Sequence, residues 1–108
     1  MSKVTETEFN PEYFKAIFGD APDDWQEFVQ VNLRTFDEGL GRIRKAVGEG
    51  DMSVVSDVRH ALGPSMKQWG TVSLEASMMA LTADTLADEW PRIEPEFTAL
   101  LDALKALN

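Results

Sequence analysis

One imidazole and no thiol limit the chemistry open to this chain. Its 108 residues include a single histidine, His60, and no cysteine. Thiolate nucleophiles, disulfides and cysteine-ligated zinc are therefore excluded. A lone histidine can serve as a nucleophile, but as a metal ligand it needs companions. Asp57, one turn earlier, does not complete such a set, so no metal site is expected. The nearby cations are Arg59 and Lys67, and the nearby small or short side chains are Ser53, Ser56, Asp57, Gly63 and Pro64. No paired groups suggest a self-contained acid–base site. An isolated histidine on a helix surface is more often a solvated residue than a reactive one, so the elements that carry His60 decide its meaning.

Those elements read as helices nearly throughout, because apolar residues recur at spacings of three and four and no run alternates with period two. The first helix opens at Asn10-Pro11-Glu12, with Asn10 as cap, Pro11 at the first helical position, and Phe9 and Phe14 spaced as a hydrophobic staple. Gly19 ends it. A second helix from Asp23 or Asp24 carries the stripe Trp25, Phe28, Asn32, Phe36, Leu40, Ile43 and Val47. Asn32, its one polar member, is either solvated at the stripe's edge or bonded inside. Gly48-Glu49-Gly50 stops the helix and Asp51 caps the next. The third helix carries Val55, Val58, Leu62, Met66 and Trp69, and stops at Gly70. Thr71 or Ser73 caps a fourth, with Leu74, Met78, Leu81 and Thr85 or Leu86. Trp90-Pro91 interrupts the pattern. A last helix holds Phe97, Leu100, Leu101, Leu104 and Leu107, with Pro95 in its first turn. The expected fold is all-α: an antiparallel four-helix bundle in one domain spanning residues 1–108, with the short first helix as a lid over one end. The Met and Trp residues read as core.

On the third helix the apolar stripe centres roughly 160° from His60 at about 100° per residue. The imidazole is thus expected to face water, where the neutral, nucleophilic form is abundant near pH 7. Ser53, Ser56, Asp57, Gly63, Pro64 and Lys67 share that side. Mostly small, they would let another protein approach, with Asp57 and the core-flanking Met66 at the rim. Lys67 lies two turns on, and helical side chains lean toward the N-terminus, so its ammonium tilts back toward His60.

The stretch from His60 to Gly70, HALGPSMKQWG, resembles the phosphorylation helix of histidine-containing phosphotransfer (HPt) domains. That pattern has a histidine, a leucine two residues on, then lysine and glycine, a small residue, and a glycine ten residues after the histidine. Leu62, Ser65 and Gly70 match, and the Gly-Glu-Gly-Asp turn with Val55 and Val58 matches the run-up. The resemblance covers residues 25–86. It departs where the family has lysine and glycine and this chain has Gly63 and Pro64. The family's lysine is taken to hold phosphoryl oxygens. Here Lys67 is the nearest replacement and Arg59 a weaker one. Pro64 deprives the His60 carbonyl of its helical partner, at a cost of about 3 kcal/mol, and Gly63 adds up to about 1 kcal/mol. The helix either kinks and continues, the preferred reading, or breaks and restarts at Ser65 with a Ser65/Gln68 capping box. A break would leave His60 near a helix C-terminus, where the dipole favours imidazolium.

The resemblance implies a phosphorelay role: His60 accepts a phosphoryl group from a receiver aspartate and passes it to a second receiver. The implied partners are response-regulator receiver domains and a hybrid histidine kinase. Magnesium would sit on the receiver, and no cofactor would sit on this chain. The alternative is a degenerate HPt-like domain that binds receivers or kinases without efficient transfer. A further one is an unrelated four-helix interaction domain with an incidental histidine. Gly39-Leu40-Gly41 lies within a helical stripe rather than a phosphate loop, so neither ATP binding nor autokinase activity is expected.

Composition bounds the rest. The hydrophobic fraction of 44% suits a folded globule. The net charge of −9 repels phosphate backbones and anionic membranes, so neither nucleic acid nor a membrane is an expected partner. That charge serves solubility alone or also shapes the choice of protein partner. The opening MSKVTETEFN lacks the apolar stretch of a signal peptide, and the absence of cysteine fits a reducing compartment. A cytoplasmic monomer is the expectation.

Overall fold

The computed structural model describes residues 8–107. The reading of a missing leader stretch concerns mainly residues 1–7, which lie outside that range. The described elements are α1 (Glu12–Phe18), α2 (Pro22–Glu49), α3 (Met52–Gln68), α4 (Val72–Met79) and α5 (Leu86–Lys105). Every regular element among the described residues is helical, as the periodicity predicts.

Local chemistry places most helix ends. The Asn10 side chain accepts from the Glu12 N–H at 2.9 Å, and Gly19 closes α1. Helix α2 starts at Pro22, one or two residues before the expected aspartates, because proline lacks the N–H that a first turn leaves unpaired. Asp23 and Asp24 then lie at its positive end. Its C-terminus is a Schellman motif: Asp51 N–H donates to Ala46 O (2.8 Å) and Gly50 N–H to Val47 O (3.3 Å). Asp51 Oδ1 next accepts from Ser53 N (3.1 Å), Val54 N (3.4 Å) and Ser53 Oγ (2.6 Å), opening α3. These bonds, the Ser53 side chain's first, hold the Asp51 carboxyl below its ordinary pKa.

Two expectations about the second half need correction. The fourth helix ends at Met79 rather than near Leu86, and α5 runs unbroken from Leu86 through both Pro91 and Pro95. The two prolines lie four residues apart on the exposed side of α5, where water can take the carbonyls they leave unpaired. Burying Trp90, Ile93, Phe97 and Leu100 on the opposite side contributes about 1.5–3 kcal/mol each, against about 3 kcal/mol for each proline. The cap of α4 is also not local. Thr71 Oγ1 donates back to Met66 O (2.8 Å), and the Ser73 N–H is taken by Glu8 Oε1 (3.0 Å) from the N-terminal arm.

Helix α2 packs on α3 and α5, α4 packs on the same two partners of the ring, α3 and α5, and α1 lies on α2. The core is built from Val29, Phe36, Leu40, Ile43, Val55, Val58, Met66, Trp69, Leu74, Met78, Phe97 and Leu100, among others. Val29, fully buried, widens the α2 stripe beyond its expected members. Gly39 sets how closely α2 meets α3: a Cβ there would lie 2.6 Å from Leu62 Cδ1 and 3.3 Å from Val58 Cγ1. Asn32, left open by the sequence, is bonded inside, donating to Phe28 O (2.9 Å) and accepting from Trp69 Nε1 (3.1 Å). Among the described residues no helix is long and apolar enough to cross a membrane.

Candidate functional site

Helix α3 is continuous from Met52 to Gln68, with Pro64 inside it. It does not break at Ser65, so His60 stands mid-helix rather than at a C-terminus. The buried residues Val55, Val58, Leu62 and Met66 fix the inward side, and His60 is exposed on the opposite side. Ser53, Asp57, Pro64 and Lys67 are exposed with it, and Ser56 is half-buried at its flank. Lys67 follows His60 by seven residues, which is about 10 Å along the axis and about 20° around it. Ala61 and Gln68 are also exposed there, on the flank away from Gly63. They extend the face beyond the expected set.

Three of the expected site residues, Gly63 and Met66 of the docking face and Arg59 as the weaker candidate cation, do not belong to this face. Gly63 is buried, because α4 packs across it: a Cβ on Gly63 would meet Glu75 Oε2 at 3.6 Å and Glu75 Cγ at 3.8 Å. Glu75 covers it at ordinary van der Waals distance, so Gly63 is not open to a visiting protein. Met66 is fully buried in the core and rims nothing. Arg59 is not a free cation. Its Nη1 donates to the carbonyl oxygens of Met78 (3.0 Å), Met79 (3.3 Å) and Leu81 (2.8 Å), satisfying the C-terminal end of α4. Met66 belongs to the apolar stripe, so its burial follows from the period of α3 itself. Gly63 and Arg59 lie off the stripe's centre, and their fate follows from where α4 docks, which spacing within α3 does not encode.

Lys67 thus remains as the cation on the His60 face. Its ammonium lies 3.9 Å from Glu75 Oε2, the same carboxylate that covers Gly63. The Glu75 side chain is only 15% exposed while that of Lys67 is 60% exposed. Sequence reading missed Glu75, whose sole local signal was an acidic residue in the first turn of a helix. Among the described residues no group of three His, Asp or Glu side chains converges to hold a metal ion. The arrangement as a whole is an uncrowded imidazole on a rigid helix, a cation two turns away and an acid beside that cation.

Compared with protein-family models, with curated proteins and with solved structures, the chain finds no match.

Proposed function

We propose that the chain is a histidine phosphotransfer module of the HPt kind, with His60 as phosphoacceptor. The observation that carries this reading is the position of the chain's sole imidazole: exposed, mid-helix, opposite the core side of α3, with Lys67 on the same face. In this reading α2 to α5 form the antiparallel four-helix bundle and α1 lies across one end. Support comes from the cyclic packing of the four helices and from the tight α2–α3 turn. The same proposal makes the protein a cytoplasmic monomer whose partners are receiver domains and a hybrid kinase, with magnesium on the receiver.

The chemistry needs little from this chain. A neutral ring nitrogen of His60 attacks the phosphorus of a receiver's aspartyl phosphate. The N–P bond forms as the acyl O–P bond breaks, the aspartate leaves as carboxylate, and the proton on the other ring nitrogen passes to solvent water. Reversal onto a second receiver completes the relay. Ser53, Asp57, Ala61 and Pro64 provide low relief for the approach.

The test is incubation with a phosphorylated receiver. Acid-labile, base-stable label on His60, absent in His60→Gln, is the expected result. Docking without label would instead support the non-transferring module. That second reading is favoured by two observations: Arg59 is committed to α4, and Lys67 has an acidic neighbour. No interaction with receivers, and a His60→Gln variant indistinguishable from the native chain, would overturn both.

A further inference from the structure

Glu75 is the one acidic side chain that α4 sends to the edge of the His60 face, and its setting is unlike that of a surface carboxylate. It is mostly shielded from water, it lies against Gly63, and its Oε2 is 3.9 Å from the Lys67 ammonium. Gly63 lies about 60° around α3 from His60, and Lys67 about 20° in the same direction. The acid and the cation therefore occupy the same flank of the face. At 3.9 Å the pair sits at the outer limit of an ion pair, and the lysine end is free to swing. An approaching phosphoryl group, itself anionic, competes with Glu75 for that ammonium. We propose that Glu75 is a positioning residue, a resident counter-anion for Lys67 that the phosphoryl group displaces, and that it restrains capture at His60. This inference rests on the phosphoacceptor reading of His60. The structural alternative is that Glu75 merely suits the positive end of α4.

The two are separated with phosphoramidate as a small donor and the full chain as acceptor. In that step the N–P bond to His60 forms, the donor's P–N bond breaks, and ammonia leaves and takes up the imidazole proton. Glu75→Gln should raise the initial rate of His60 labelling about two- to fivefold at low salt, the scale of a weak ion pair whose lysine end is open to water. The gain should shrink toward unity at about 1 M salt, where charges are screened within about 3 Å. Lys67→Gln, at an exposed position where folding is not at stake, should lower the rate. On the Lys67→Gln background the gain from Glu75→Gln should fall by at least half. An unchanged rate in either single variant, or an undiminished gain without Lys67, would overturn the proposal. A helix-end role predicts lower thermal stability for Glu75→Gln with no salt-dependent rate. Failure of the native chain to label at all, from phosphoramidate or from a phospho-receiver, would remove the phosphoacceptor reading itself. Normal labelling that is indifferent to Glu75 would remove only this inference.

Discussion

The two ends of the ten-residue stretch from His60 in α3 to Trp69 just past its end are built on opposite plans. At Trp69 every group is engaged. The indole is fully buried, with Phe9, Phe14, Trp25 and Phe28 ring centroids 4.6–6.1 Å away. Its Nε1 is bonded to Asn32, its carbonyl accepts from Asn10 N (2.8 Å), and the following Gly70, at φ +88°, leaves no room for a Cβ against Glu8 O. At His60 the imidazole is exposed, and no side-chain hydrogen bond or ion pair engages it among the described residues. The helix backbone alone orients it. The difference shows how a small bundle separates two tasks. Long-range contacts concentrate where the chain must be held, and the turn that could do chemistry borrows its rigidity from them.

Removing the anchor should have the larger effect on stability. Trp69→Ala should destabilise the protein by about 3–5 kcal/mol, the range for truncating a buried aromatic. Denaturant melts would measure it. His60→Gln should move the same melts by no more than about 0.5 kcal/mol. Comparable losses in the two variants would mean that His60 is held by packing after all, and the contrast between the two ends would collapse.

Pro64 tests the loose end from the other side. It stands exposed one turn after His60 and leaves the His60 carbonyl without a helical N–H. Pro64→Ala restores that donor but frees the unfolded chain, so the net gain should be about 1–2 kcal/mol in melts. His60 labelling should persist. A loss of stability would show that the proline ring is itself part of the fold's support.

What was legible in advance follows the same division. The side of α3 on which His60 lies depends only on a period of 3.6 and on the apolar residues of its own helix, and both are in the local sequence. The Asp51 cap and the Gly50 stop are equally local. By contrast, the fates of Gly63 and Arg59 depend on the docking of α4, and the cap of Ser73 comes from Glu8, sixty-five residues away. No spacing rule reaches that far. The prolines of α5 misled for a related reason. Their local penalty is real, but the buried side of the helix, built from Trp90, Ile93, Phe97 and Leu100, outweighs it. Glu75 was invisible because its neighbours Gly63 and Lys67 belong to another helix.

The smallest effect expected concerns a cost rather than a support, at the anchored end where Glu8 fastens the N-terminal arm. Glu96 of α5 has a buried Oε1 with no hydrogen-bond partner, and its carboxyl is held above its ordinary pKa of 4.5. Burial is the main cause, the charge of Glu8 adds to it, and Arg92 works against both. A carboxyl with a raised pKa binds its proton more tightly when folded than when unfolded. Above the folded value its ionised form therefore weakens the fold. As pH falls through the raised value toward 4.5 that penalty is relieved, and below 4.5 the relief is complete. Asp51, with its lowered pKa, runs the other way, and its contribution fades only as pH drops below its ordinary 3.8. Glu96→Gln should accordingly stabilise the protein at pH 7, by a few tenths of a kcal/mol, roughly, once solvent screening of this half-buried group is allowed for. It should also flatten the gain seen between neutral pH and 4.5, leaving the Asp51 loss at lower pH untouched. Thermal melts across that range would show it. A Glu96→Gln variant less stable than the native chain at pH 7 would mean that the charged carboxylate is supporting the anchored end.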